Sequence, residues 1–392
     1  MFVIINKSNK LLFLFFLFLS FSFNSTLFPK INSNCLWVKA ESILNTSSID
    51  SLINFSLENN IDKLFYQVRS RGDALYNSQL VPKYEKLDSL FDPLQYVLEQ
   101  TSNMDLEVHA WFNTYILWSS ENPPNNKSHL YYSCEDCFEV DLNGKSDKSI
   151  KLNQFHSSDW EGLFLSPLNP KVNDYLLNLL LELINNYEID GLHLDYLRYQ
   201  DNFYGYNKYG IADFVDKYSI NPIDIKRGII SKRFGYQQSY VDSMKNKWNQ
   251  FKTDKITQFV RSVKYSIIND SLGIQLSAAV KPDIFEAKYR WHQDWGTWID
   301  EDILDFCVIM NYYTNFNKFI SINDMINNQV KNKNKVNIGI SVYNQSQSSI
   351  SNKILHSRLD GYDNFSLFPY TLVKDTTNWY EPIYNTLDFH IE

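Results

Sequence analysis

From Leu36 onward the chain alternates two patterns. Short runs of β-branched and aromatic residues are followed by longer stretches whose apolar residues recur three and four positions apart. That alternation predicts repeated strand–helix units and a parallel sheet. The strand-like runs are Leu36–Ser42, Lys63–Arg69, Glu107–Asn113, Gly191–Asp195, Ile274–Val280, Phe306–Tyr312, Val336–Ser341 and Gly361–Phe365. These are enough strands to close a barrel, so the expected fold class is α/β, a single (β/α)8 TIM barrel. Between the strands the spacing predicts helices over Ile49–Asn59, Pro93–Asn103, Pro170–Tyr187, Trp248–Ile268, Thr297–Asp302, Ile320–Asn332 and Ser346–Ser357. Pro170–Tyr187 has the clearest pattern, with Pro in the first turn and Val172, Leu176, Leu179, Leu180 and Leu183 on one face.

Two connections are long, Tyr115 to Leu168 after the third strand and Arg198 to about Lys245 after the fourth. Both follow strand C-termini, the end at which barrels of this kind build their sites, and long loops in compact domains tend to be functional. No internal repeat or low-complexity linker divides the chain. Residues 35–370 therefore read as one barrel domain and 371–392 as a C-terminal helix or extension.

The opening residues break the pattern. Lys7 and Lys10 precede the apolar run Leu11–Phe23, too short to span a bilayer and the right length for a signal-peptide core. Residues 1–25 are expected to be a signal peptide or an uncleaved N-terminal anchor, which predicts a secreted, periplasmic or cell-surface protein. That anchor is the one membrane contact expected. In an exported chain the isolated pair Cys134-Glu-Asp-Cys137 is expected to close as a local disulfide, because a zinc site would need a second ligand pair nearby.

Composition changes the picture in two respects. The net charge is −8 with no Lys/Arg cluster, which argues against nucleic acid as a partner. Aromatic residues make up 16% of the chain, including 9 Trp and 26 Tyr. Such rings stack on the apolar faces of sugars, although an aromatic core alone would account for the same composition.

The candidate chemistry gathers at strand ends. In Gly191-Leu-His-Leu-Asp195, period-two alternation turns Gly191, His193 and Asp195 toward the barrel axis. Asp195, last in its strand, should emerge at the mouth, where a buried carboxylate needs a reason. The bland explanation is a salt bridge to Arg69 or Arg198. Trp111 and Asn113 share the inner face of the third strand with Glu107 and His109. On the same reasoning Gln67 and Arg69 face inward from the second strand, Gly72-Asp73 makes a turn, and the sixth strand ends in Asn311-Tyr312-Tyr313. The fifth strand leads to Asp283. Two carboxylates flanking one cleft can run glycoside hydrolysis. Asp195 and Asp283 are the expected catalytic pair, with Glu286, Asp294 and Asp73 as rivals for the second role. Gln67, Arg69, Asp73, Trp111, Asn113, His193, Tyr196, Arg198, Asn311 and Tyr312 are the expected substrate-binding set. A metal site built on Asp195 with His193 and His109 is not expected, because no H-x-H or H-x-x-x-D spacing supports it. Neither a G-x-S-x-G turn nor a phosphate-binding glycine loop occurs, and no cofactor is expected.

Several segments, in one order, resemble a known family. They are Leu36-Trp-Val38, Gln67-Val-Arg-Ser-Arg-Gly-Asp-Ala-Leu-Tyr76, Phe91-Asp-Pro-Leu94, Glu107-Val-His-Ala-Trp-Phe-Asn113, Pro167-Leu-Asn-Pro170, Asp190-Gly-Leu-His-Leu-Asp-Tyr-Leu-Arg-Tyr199, Leu276-Ser-Ala-Ala-Val280, Gln293-Asp-Trp295 and Met310-Asn-Tyr312. Together they are similar to the glycosyl hydrolase-like family also called domain of unknown function 187. The resemblance implies a TIM barrel, an envelope or secreted location, and action on glycans, with peptidoglycan sugar strands as the substrate. Where members often carry a His-Pro pair, this chain reads Ser133-Cys-Glu-Asp-Cys137. The segment from Asp190 is also similar to the D-G-x-D-x-D-x-E motif of family 18 chitinases. Here His193 replaces one Asp and Leu197 stands where the catalytic Glu belongs, so an acid must come from another strand. The expected function is hydrolysis of an envelope or extracellular glycan. The alternative is a non-catalytic glycan-binding barrel at the cell surface.

Overall fold

The computed structural model describes residues 33–154, 160–269, 273–374 and 381–387. The expected signal segment lies outside them. Among the described residues, no helix is long and apolar enough to cross a membrane.

Eight parallel strands close into a barrel in the order β1 (Asn34–Val38), β10 (Phe365–Phe368), β9 (Val336–Ser341), β8 (Phe306–Met310), β7 (Gln275–Val280), β6 (Gly191–Asp195), β3 (Glu107–Asn113), β2 (Lys63–Arg69). The remaining two strands, β4 (Ile116–Trp118) and β5 (Leu163–Phe164), form a small antiparallel pair within the long connection after β3. Alternation along the barrel strands sorts side chains into two cores. Leu36, Val38, Leu64, Tyr66, Val108, Phe112, Leu192, Leu194, Leu276 and Ile309 point outward to the helices. Cys35, Trp37, Phe65, Trp111, Ala279 and Val308 fill the lumen, with Phe306, Met310, Tyr312 and Phe368 against them. The lumen is thus a packed plug of rings rather than a pore.

The helix Pro170–Asn186 shows how the sequence builds the outer layer. Asn169 caps it through a bond accepted from the Lys171 N–H, Pro170 occupies its first turn, and Val172, Leu176, Leu179, Leu180 and Leu183 are buried. At Gly191 a side chain would have to displace the His109 ring, because an added Cβ would lie 2.2 Å from His109 Nδ1.

Several element boundaries differ from those expected, and these bear on the barrel mouth. The first strand ends at Val38, and Ala40–Ser42 turn as a 3-10 helix whose Ala40 N–H donates to Gln67 Oε1. The sixth barrel strand stops at Met310 rather than Tyr312. The last strand is Phe365–Phe368, not Gly361–Phe365, because Gly361, at φ 85°, turns the chain out of the preceding helix. The long connection after β6 is largely helical, with Lys208–Tyr218, Pro222–Lys226 and Ile229–Phe234 leading into the 32-residue helix Gln238–Asn269.

The two long connections are joined to each other beside the mouth. Gly205 N–H donates to Glu139 Oε2 at 2.7 Å, and Tyr206 N–H donates to Val140 O at 3.0 Å. Asn207 Nδ2 donates to Phe138 O, and the Phe164 N–H donates to Asp147 Oδ2. Cys134 and Cys137 are disulfide-bonded, as their spacing suggested. Lys252, from the long helix, lies buried in the same junction and donates to Tyr204 O. Burial pushes Glu139 up to about 7 and Lys252 down to about 7, and the two charges partly offset each other.

Candidate active site

The C-terminal ends of the strands open into a cavity of about 1050 Å³. Trp37, Trp111, Met310 and Phe368, the top of the lumen plug, line it, so the cavity has an aromatic floor. Asp195 stands on that floor and is 8% exposed. Its Oδ2 accepts from the Trp111 indole N–H at 3.2 Å, and its Oδ1 accepts from the Tyr196 backbone N–H at 2.7 Å. Burial lifts the carboxyl to about 6, against the lowering effect of the Tyr196 N–H and of Arg198. Glu161 adds to the rise through its own negative charge.

Glu161 lines the same cavity from the end of the long β3 connection. Arg198 forms an ion pair with it, and Lys281 Nζ lies 3.9 Å away. The Arg198 guanidinium also sits 4.8 Å from the Trp291 ring and 5.2 Å from the Tyr196 ring. Tyr196 is held with φ 51°, an uncommon conformation for an aromatic residue. This conformation aims its N–H at Asp195, while its buried hydroxyl is pushed up in pKa by burial and then by the charges of Glu161 and Asp195.

Of the residues expected to meet substrate, Gln67, Trp111, Asn113, Tyr196, Arg198 and Tyr312 line the cavity with Asp195. Asn113 donates to Ser70 O, and its buried Oδ1 has no partner among the described residues. Tyr312 stacks on Phe368, with ring centroids 5.6 Å apart.

Arg69, Asp73, His193 and Asn311 do not line it. Between Gln67 and Arg69 the pairing of β2 with β3 slips by one, so that Gln67 is opposite Trp111 but Arg69 is opposite outward-facing Phe112. Arg69 therefore lies outside the lumen, 5.0 Å from the Phe112 ring, and donates to the Asn113, Thr114 and Ile116 carbonyls. Asp73 is buried in the turn that follows and accepts from the Arg71 N–H. Asn311 faces the outer layer, where it donates to Phe319 O and Asn323 Oδ1.

His193 does face inward, but one layer below the floor, stacked 3.8 Å from the Phe65 ring. Trp37 Nε1–H donates to its Nε2 at 3.1 Å, which leaves Nδ1 carrying the proton toward Ser277 Oγ at 2.9 Å. Burial holds this imidazole well below its usual pKa.

Asp283 also lies off the cavity wall. Its carboxylate caps the helix Ile284–Arg290 by accepting from the Phe285 and Glu286 N–H groups, each at 3.0 Å. Among its rivals, Glu286 does line the cavity and is paired with Arg290, whereas Asp294 is bound to Lys288. Glu161 was absent from the sequence reading. It sits in irregular chain with no periodic pattern to orient it, and only its place in a long loop after a strand C-terminus marked it.

The chain matches the family described as glycosyl hydrolase-like 10 over residues 31–355. It belongs to that family. Among the relatives of this glycosyl hydrolase-like 10 barrel is glycosyl hydrolase YngK of Bacillus subtilis (strain 168), 24% identical over 306 residues, which are 70% of this chain and 51% of YngK. Glycosyl hydrolase DigH of Escherichia coli (strain K12) is 25% identical over 146 residues, 34% of this chain and 30% of DigH. The chain thus spans about half the length of one of these relatives and under a third of the other. The PgaB (BpsB) glycoside hydrolase domain from Bordetella bronchiseptica superposes with a TM-score of 0.68 at 11% identity, covering 92% of this chain and 100% of that one. The catalytic domain of β-amylase from Paenibacillus polymyxa superposes with a TM-score of 0.58 at 11% identity, covering 91% and 97%. With these two structures the glycosyl hydrolase-like 10 chain shares its fold.

Proposed function

We propose that this protein hydrolyses glycosidic bonds and that Asp195 and Glu161 are the carboxylates that do so. One observation carries the reading. Two acidic side chains, one from the end of β6 and one from the connection after β3, line one aromatic-floored cavity, close enough for the charge of one to raise the pKa of the other. Glycoside hydrolysis needs such a pair, with environments that differ. Asp195, lifted to about 6, can hold a proton near neutral pH and pass it to the departing sugar oxygen. Glu161, set against Arg198, offers negative charge to the oxocarbenium-like carbon, as nucleophile or through a water. Trp111, Tyr312 and Trp291 supply ring faces for sugars. Asp283, expected as the second member of the catalytic pair, is occupied as a helix cap and gives way to Glu161.

The substrate we propose is an envelope or extracellular glycan, with peptidoglycan sugar strands first. The family supports this, as does the signal-like segment Leu11–Phe23. The test incubates the protein with peptide-free peptidoglycan strands and a panel of neutral polysaccharides, beside Asp195→Asn and Glu161→Gln. Release of new reducing ends by the parent and not by either variant is the expected result. Equal release by parent and variants would overturn the assignment of the pair. Binding without release from any glycan would make this a non-catalytic glycan-binding barrel.

A further inference from the structure

The charges lining the cavity are unevenly matched. Glu161 is met by Arg198 and Lys281, Glu286 by Arg290, and Glu41 by Lys39 at 2.7 Å. Arg71 and Lys86, both from the segment after β2, line the same cavity outside any ion pair among the described residues, although buried Asp73 feels the charge of Arg71. In a chain of net charge −8, two cations in one cleft without an ion-pair partner are an unusual provision.

Arg71 is also pre-set. Its Nε donates to Ser119 Oγ at 3.1 Å, and its carbon lies 6.0 Å from the Trp118 ring. Its backbone is pinned at both ends. The N–H donates to Asp73 Oδ1, and the carbonyl accepts from His129 Nε2 at 2.9 Å. Burial holds His129 at about 4, so near neutral pH this imidazole adds no positive charge. The two terminal nitrogens of the guanidinium are left to meet something in the cavity. A fork of this shape fits a carboxylate bidentately. Nearby, Asn113 lines the same cavity, and its Oδ1 is a buried acceptor without a partner among the described residues.

We infer that Arg71 and Lys86, with Asn113, form a subsite for a carboxylate-bearing sugar residue. The inference rests on the glycan-binding reading of the cavity and refines it. The site selects glycans that carry an acidic substituent over their neutral counterparts, and Arg71 is the residue that reads the charge.

The test measures affinity on the full chain carrying Asp195→Asn, so that bond cleavage does not interfere. Two substrate pairs are compared: peptide-free peptidoglycan strands with the same strands carboxyl-reduced to alcohols, and a uronate-bearing oligosaccharide with its reduced form. A charged hydrogen-bonded pair in a partly dry site predicts about tenfold tighter binding of the acidic member. That preference should collapse toward one with Arg71→Gln and return in part with Arg71→Lys. Thermal unfolding should show each variant to be folded. A preference in either pair supports the subsite and tells whether the carboxylate sits on a lactyl ether or on the ring. Equal affinity in both pairs, or a preference that survives Arg71→Gln, would overturn it. If the parent cleaves no glycan at all, the hydrolase reading fails, yet this comparison still decides the subsite.

Discussion

Trp111 donates its indole N–H to Oδ2 of Asp195 from the neighbouring strand, at 3.2 Å. The two residues are one register step from each other across the β3–β6 pairing, in which Asn113 is opposite Asp195 and Trp111 is opposite His193. An N–H donated to a carboxylate favours its ionised form, against the burial that raises the Asp195 pKa. Trp111→Phe keeps the ring and removes the donor. The acid-group limb of the pH–rate profile should then move upward, with kcat reduced several-fold. A limb that stays in place would show that the indole serves only as a packing surface.

Asp195→Asn should cost about 10²–10⁴-fold in turnover, the usual range for losing a proton-transferring side chain. Its effect on stability should have the opposite sign. The folded carboxyl titrates near 6 against an ordinary 3.8, so the native state binds the proton more tightly than the unfolded chain does. Below about pH 4 both states are protonated and Asp195 is neutral in its effect. As pH rises through 6 the native state must hold a buried charge, at a cost of about 3 kcal/mol for a shift of about two units. The amide oxygen of Asn can accept only one of the two bonds, from Trp111 or from Tyr196, so the melting temperature of Asp195→Asn relative to the parent should rise between pH 4 and pH 8. A difference from the parent that is the same at both pH values would contradict the burial argument.

The junction of the two long connections makes a separate prediction. Lys252 and Glu139 are both buried and partly compensate each other. Lys252→Met removes a charge that partly offsets Glu139, so the Glu139 carboxyl should be pushed further up in pKa and the variant should lose stability. The double variant Lys252→Met with Glu139→Gln should recover a good part of that loss. Additive losses in urea unfolding would show that the two groups act independently.

Gly191→Ala tests the lumen below the site. The added methyl would meet His109 Nδ1 at 2.2 Å and Cε1 at 2.5 Å, inside a ring that is wholly buried. A loss of about 1–3 kcal/mol is expected. A melt unchanged from the parent would mean that the ring turns aside freely.

Much of this was legible in the residues before any coordinates. Period-two alternation put Asp195 on the inner face at a strand end, and the same rule found Trp111, Asn113 and Gln67. It failed at Arg69 because alternation assumes an unbroken register, and a one-residue slip inside β2 reverses the facing of everything after it. Asn311 failed for a related reason. β8 ends at Met310, and Asn311 turns to the helices to bond Phe319 O and Asn323. Asp283 follows a strand as a mouth carboxylate would, but an Asp just before a helix is the usual cap, and it caps one here. Glu161 and Arg71 stand on loops, where position is set by distant contacts such as those of Arg198 and Ser119 that no local pattern encodes.

The His193 layer has a consequence for traffic through the molecule. Trp37, His193, Ser277 and the Leu192 carbonyl form a continuous run of donors and acceptors, and Phe65 covers the imidazole face. Among the described residues the lumen below the floor is filled by these side chains, so a glycan bound in the cavity would enter and leave by the rim at the strand C-termini.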